Sequence, residues 1–201
     1  TKKSVFKWNV LNENDELFLK RIKRILTDEN YASRIRLLGL RKILQEHTYK
    51  ERVAHLYEKC FGIKPQKTEK KVVVFSVVKN IDDVEYIKKI INNQSYGSKQ
   101  LFLFTSSNNL VHNSAFYDTY PIEEFHSILT GQADFYAFLS TQNYYGKNYL
   151  LDLMLSTEYA SVSAIGKSAH FKIQENKIEF IGELGAYQLI DQLQIDRCVF
   201  M

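Results

Sequence analysis

The sequence predicts an α/β protein, with a helical N-terminal segment followed by a three-layer domain built on a mostly parallel sheet. Three observations carry this reading. Apolar residues recur at helical spacing up to residue 62. Short runs rich in branched apolar residues replace that pattern after residue 71. The polar stretch 64–70, with Pro65 in it, separates the two regimes. The chain therefore divides into a helical segment over 1–63, a linker over 64–70 and an α/β domain over 71–201.

Leu17, Ile22, Ile25 and Leu26 fit one helix, with Asn12 or Asn14 as its N-cap and Asp28-Glu29-Asn30 as the break that follows. Ile35, Leu37, Leu38, Leu40, Ile43 and Leu44 fit a second helix, in which Gly39 costs about 1 kcal/mol against Ala. Thr48-Tyr49-Lys50-Glu51 is a capping box, because the Thr48 hydroxyl can accept from the Glu51 amide while the Glu51 side chain reaches back. It opens a third helix that turns Val53, Leu56, Tyr57 and Cys60 inward and stops at Gly62.

Beyond the linker, 72–78 is a buried-strand run, 83–91 an amphipathic helix with Val84, Ile87, Ile90 and Ile91 inward, and 101–104 a second apolar run. Strand, helix and strand over about 33 residues have the length of a parallel βαβ unit. Residues 106–114 read as a loop and 123–129 as a short helix. The stretch 133–160 then organises the domain. Residues 135–139 are an apolar strand, 140–146 a polar, aromatic-rich turn, and Tyr149, Leu150, Leu153, Met154 and Tyr159 a helix. Residues 162–165 read as a strand, and 170–173 with 177–181 as a hairpin across 174–176.

Bulk properties exclude several function classes. No apolar run approaches the ~18 residues of a membrane span, and the basic N-terminus lacks a signal-peptide core, so a cytoplasmic protein without a transmembrane segment is expected. Cys60 and Cys198 have no motif spacing and read as reduced thiols. The first residue is Thr rather than Met, so the chain reads as excised from something longer. Residues 1–70 carry a net charge of +8 and residues 71–201 one of −4. A basic face could meet nucleic acid, anionic lipid or an acidic domain. The cations are mixed with acids along helices, however, so a solvated face is the favoured reading, and no nucleic-acid motif is present.

Three loops follow predicted strands: Lys79-Asn80-Ile81-Asp82-Asp83, Thr105-Ser106-Ser107-Asn108 and Ser140-Thr141-Gln142-Asn143. In a parallel sheet they meet at one edge, where open α/β sheets place ligands. Ser76-Val77-Val78-Lys79-Asn80, Asn93-Gln94-Ser95-Tyr96 and Leu101-Phe102-Leu103-Phe104-Thr105-Ser106 together resemble the opening of the family 2 (GT-A fold) glycosyltransferases. Phe138-Leu139-Ser140-Thr141-Gln142-Asn143 looks like that family's Phe-Leu-Asp-x-Asp-Asp segment. Tyr145-Gly146-Lys147-Asn148-Tyr149-Leu150 extends it in the manner of bacterial cell-surface polysaccharide and teichoic-acid-type transferases. Leu38-Gly39 through Glu46-His47-Thr48-Tyr49 and Arg52 resembles the closing helices of spore-maturation-type GT-B glycosyltransferases. This implies that 1–62 is the tail of a larger domain, with His47 packing beside the cap.

The resemblance implies a GT-A-like domain, expected to be incomplete, that transfers a sugar from a nucleotide-sugar donor to a cell-surface polymer or glycan. Asn80, Asp83, Ser106, Gln142 and Asn143 would line the donor cleft, and the partners would be a nucleotide-sugar or glycan and other domains of a longer parent. The family holds a divalent cation, Mg or Mn, on carboxylates, because a hard ion prefers anionic oxygens. Here Thr105 and Ser106 stand where an Asp pair would be, and Ser140, Gln142 and Asn143 replace the metal-binding acids. These residues can hydrogen-bond a ribose or sugar, but no metal ligand is assigned among them. Asp82 and Asp83 are favoured as helix-capping acids. The family's general base has no counterpart, since neither Asp191 nor Glu183 is marked by its spacing. The alternative is therefore a non-catalytic module, derived from a glycosyltransferase, that binds a glycan or a partner.

Tyr144 and Tyr145, in the turn, are candidates to stack on sugar faces, or else packing residues at the sheet edge, whereas Tyr136 and Tyr149 read as core. Lys167 lacks the glycine of a P-loop and could at most contact a diphosphate singly.

Overall fold

In a computed structural model of the protein the described residues are 15–65, 68–106, 113–114, 117–129, 131, 133–174, 177–181 and 188–201. The chain separates into two compact units, Thr1–Pro65 and Gln66–Met201.

The first unit consists of α1 (Asp15–Thr27), α2 (Glu29–Glu46) and α3 (Tyr49–Phe61). The break between α1 and α2 is a single residue. Asp28 takes an extended conformation and its carboxylate accepts from the Tyr31 amide at 2.9 Å, so α2 begins at once rather than near residue 35. The caps expected for α1, Asn12 and Asn14, lie outside the described residues. The Thr48 hydroxyl accepts from the Glu51 amide at 3.2 Å, and Gly62 closes α3 at φ +69°, a left-handed conformation that glycine adopts without steric cost. The inward face expected of α3 is not inward. Val53, Leu56, Tyr57 and Cys60 are all exposed, and the only buried residue described in the three helices is Ala32. Helical periodicity fixes which residues share a face; it does not supply a surface for that face to cover.

The second unit is α/β. Its described residues form a seven-stranded sheet in the order β3 (Asn113–Ser114), β4 (Tyr117–Pro121), β2 (Lys99–Thr105), β1 (Val72–Val77), β5 (Phe135–Phe138), β10 (Cys198–Phe200), β7 (Ala164–Gly166). The pairs β1–β2, β1–β5 and β2–β4 are parallel, whereas β10 runs antiparallel to both its neighbours and β3 is antiparallel to β4. A smaller antiparallel sheet joins β6 (Asn143–Tyr144), β8 (His170–Gln174) and β9 (Lys177–Ile181), the last two pairing as a hairpin.

Alternation along the strands builds two layers. Val72, Val74, Leu101, Leu103, Phe135, Ala137 and Leu139 face α4 (Ile81–Asn93) and α6 (Tyr149–Ser156), meeting Val84, Ile87, Ile90, Ile91, Leu150, Leu153 and Met154. Val73, Phe75, Phe102 and Phe104 face the other way, against Tyr120 and the Phe125 and Ile128 side chains of α5 (Phe125–Leu129), with Tyr136, Phe138 and Phe200 beside them. The motif residues after α4 clamp this layering. Gln94 is buried; its Nε2 donates to the Gly146 carbonyl at 3.0 Å and its Oε1 accepts from the Leu150 amide at 3.1 Å. The Tyr96 hydroxyl donates to the Lys70 carbonyl at the entry to β1.

Candidate functional site

The parallel ladder places the predicted loops at one edge. Val77 is level with Phe104 across β1–β2, and Phe75 with Phe138 across β1–β5. The chains continuing to Asn80, Ser106 and Ser140 therefore leave the sheet on the same side. The strand order also turns there. From β1 the chain moves to β2 and β4 on one side, then crosses back to β5 on the other, so the ends of β1 and β5 flank a topological switch point. The buried Ser76 hydroxyl donates to the Leu139 carbonyl at 2.6 Å and ties the two strand ends together.

Asn80 is the N-cap of α4. Its Oδ1 accepts from the Asp83 amide at 2.8 Å, while Asp83 Oδ2 accepts from the Lys79 amide at 2.9 Å. The pair satisfies one orphan donor of the first helical turn and the amide just before the cap, and it puts an anion at the positive end of the helix. Ser106 and Gln142 are exposed at the edge, and the Gln142 amide donates to Ser140 Oγ at 3.2 Å. Lys167 is committed elsewhere, to Asp152 at 2.9 Å and over the Tyr149 ring.

Asn143 and Tyr145 differ from the expectation of open cleft residues, because both are 4% exposed. In β6 the side chains alternate, so Asn143 points inward and Tyr144, 46% exposed, points out. Asn143 Nδ2 donates to Asp196 Oδ2 at 2.7 Å, and its carbonyl accepts from the Tyr86 hydroxyl at 2.9 Å. The Tyr145 hydroxyl accepts from the Ser140 amide at 2.9 Å and donates to the Asp196 carbonyl at 2.7 Å. Its ring meets Tyr149 edge-on at 4.9 Å between centroids, so it cannot offer a face to a sugar. Tyr144 is the one stacking candidate left at the surface.

Sequence reasoning missed the hub of this network. Asp196 arrives on a 3₁₀ turn (Ile195–Arg197) before β10, which runs antiparallel to β5 and so begins at the edge where β5 ends. Its side chain is 27% exposed, and Oδ1 lies 3.5 Å from Arg197 Nε. Arg197 in turn donates to the Ser168 carbonyl at 3.0 Å and to His170 Nδ1 at 2.7 Å. Burial pushes the Tyr145 phenol up to about 12, even though its hydrogen bonds with Ser140 and Asn143 pull the other way. Burial also raises Tyr86 and takes Tyr149 well above its ordinary value.

The donor set does not fit a divalent cation. Among the described residues no three His, Cys, Asp or Glu side chains gather in a way that could hold a metal. At this edge Asp83 is spent on a helix cap, and Asp196 has one oxygen on the Asn143 amide. What remains outward are the hydroxyl of Ser106, the amide of Gln142 and the Tyr144 ring, with Lys79 and Asp82 exposed beside them in the loop after β1, a set suited to hydrogen-bonding and stacking on a polyhydroxyl ligand. No protein-family model matches this chain, and no curated protein does. Among the described residues no helix is long and apolar enough to cross a membrane.

Proposed function

We propose that residues 71–201 are a glycosyltransferase-type domain that holds a nucleotide-sugar donor at the β1–β5 switch point. In the parent protein its role would be transfer of that sugar to a cell-surface polymer or glycan. The observation that carries the reading is the convergence of the loops after β1, β2 and β5 on one sheet edge, on either side of the point where strand order reverses. It is supported by the resemblance of those loops to the family 2 (GT-A fold) pattern. Ser106, Gln142 and Tyr144 would contact the ligand, with Asn80 and Asp83 shaping the neighbouring loop after β1, and Asn143 acting through Asp196.

One observation favours the second reading, a binding module that does not turn over. Two of the three acids at the edge are engaged, Asp83 in the α4 cap and Asp196 with Asn143, which leaves Asp82 as a lone exposed carboxylate. Titration calorimetry with UDP- and CDP-linked sugars, with and without Mn²⁺, separates the readings. The transferase-type reading expects binding of a nucleotide-linked donor that weakens when Gln142 or Ser106 is replaced by Ala. Heat from a free glycan but from no nucleotide supports the module, and silence toward both classes removes the site.

A further inference from the structure

We propose that α1 is an interfacial helix that lies in the headgroup region of an anionic bilayer. On a helical projection of 100° per residue, Phe18, Leu19, Ile22, Ile25 and Leu26 fall within an arc of about 120°, Lys20, Arg21, Lys23 and Arg24 lie outside it with Glu16, Leu17 and Thr27, and Asp15 opens the helix on the side of the arc. From residue 17 to residue 27 there is no carboxylate. The apolar arc is open to solvent: Leu26 is 80% exposed, Leu19 63%, and Ile22 and Ile25 nearly 40%. Arg24 lies 4.2 Å over the Tyr31 ring and 3.5 Å from Asp28. Lys20, Arg21 and Lys23 flank the arc, and Lys2, Lys3 and Lys7 precede it in the sequence.

Charge decides the occupant. Past the acidic first turn at Asp15 and Glu16, the uncovered apolar arc is bordered only by cations, which matches a surface that is apolar beneath and anionic above, the acyl–headgroup boundary of an acidic membrane. The 13-residue helix is about 20 Å long, short of the ~30 Å hydrocarbon core, so it lies along the membrane rather than across it. The exposed arc of α3 gives the internal contrast. Val53, Leu56 and Phe61 are as open, but in that helix Glu51 and Glu58 alternate with Lys50, Arg52 and Lys59 along its whole length, whereas the two acids of α1 are confined to its first turn.

The test is co-sedimentation of the whole chain with vesicles of phosphatidylcholine alone or mixed with phosphatidylglycerol, at low and high salt. Binding to the mixed vesicles should be at least about tenfold tighter and should fall with salt. It should be lost in Leu19→Glu/Leu26→Glu and weakened in Lys20→Gln/Lys23→Gln, a pair that keeps good helix formers, while Leu56→Glu binds as the parent does. Circular dichroism confirms that each variant retains its helix content; if a charge reversal unfolds the segment, the glutamine pair carries the test. Equal binding to neutral vesicles, binding that survives the arc substitutions, or no binding overturns the proposal. So does concentration-dependent self-association abolished by the same arc substitutions, which would assign the face to a second copy of the chain.

Discussion

Tyr145 shows how a single hydroxyl can serve the site without touching a ligand. It accepts from the Ser140 amide and donates to the Asp196 carbonyl, joining the loop after β5 to the turn before β10. Tyr145→Phe takes the partner from both partly buried backbone groups, and urea denaturation should show a loss of about 1 kcal/mol or more. Tyr149 is the matched control. Its buried hydroxyl has no hydrogen-bond partner among the described residues, so Tyr149→Phe should be neutral or stabilising in the same measurement. The two tyrosines also predict the alkaline limit of the fold. Tyr145 and Tyr96 are both held near 12 by burial, against an ordinary value of 10.0. The folded form keeps protons that the unfolded chain releases, so their contribution is complete below pH 10 and is lost as the pH climbs toward about 12. The urea midpoint should fall through that window, and less so in Tyr145→Phe. In the sequence the two residues of Tyr144-Tyr145 were indistinguishable by composition. Only the pairing of β6 with β8 decides that Tyr144 faces out and Asn143 in, and that pairing spans a gap no local pattern encodes.

At the scale of elements, the long periodic segments were legible and the short ones were not. The strand at 72–78, the helix through Val84, Ile87 and Ile91, and the 170–181 hairpin all appear close to where periodicity and turn chemistry put them. The strands β4 and β10 went unseen because Tyr117–Pro121 is mostly polar and Cys198–Phe200 is three residues long. β10 mattered most, since its antiparallel course delivers Asp196 to the site. Its seat depends on close packing against β7. A Cβ on Gly166 would come within 2.8 Å of Leu193 Cδ2, 2.9 Å of the Arg197 carbonyl oxygen and 3.0 Å of Cys198 Cβ. One of these contacts is backbone and cannot rotate away. Gly166→Ala should therefore cost about 1–3 kcal/mol in chemical denaturation and push the 195–197 turn outward. Loss of the Asn143–Asp196 contact would report that movement as changed NMR shifts at Asn143, whereas shifts confined to β7 would show that the turn holds without it.

For the molecule as a whole, the two units differ in what holds them. The second buries Val72, Val73, Val74, Ile87, Leu103, Phe104, Leu139, Leu150 and Val199 almost completely, and removal of such surface from water is the dominant favourable term in folding. The first buries only Ala32 among its described residues, and α1 and α3 have 13 residues each, a length at which isolated helices are marginal in water. Capping at Asp28, Thr48 and Gly62 aligns the helices but contributes only about 1 kcal/mol at each end. Local opening of α1 to α3 should then be far easier than global unfolding of the sheet. Hydrogen exchange on the whole chain should find the amides of α1, α2 and α3 exchanging at least about 100-fold faster than those of β1, β2 and β5. Comparable protection in both units would mean that something covers the apolar arcs in solution, and its dependence on protein concentration would identify that cover as a second copy. Slowing in 15–27 alone, on addition of phosphatidylglycerol vesicles, would instead show that the missing partner of α1 is a lipid surface and that its helix is completed there.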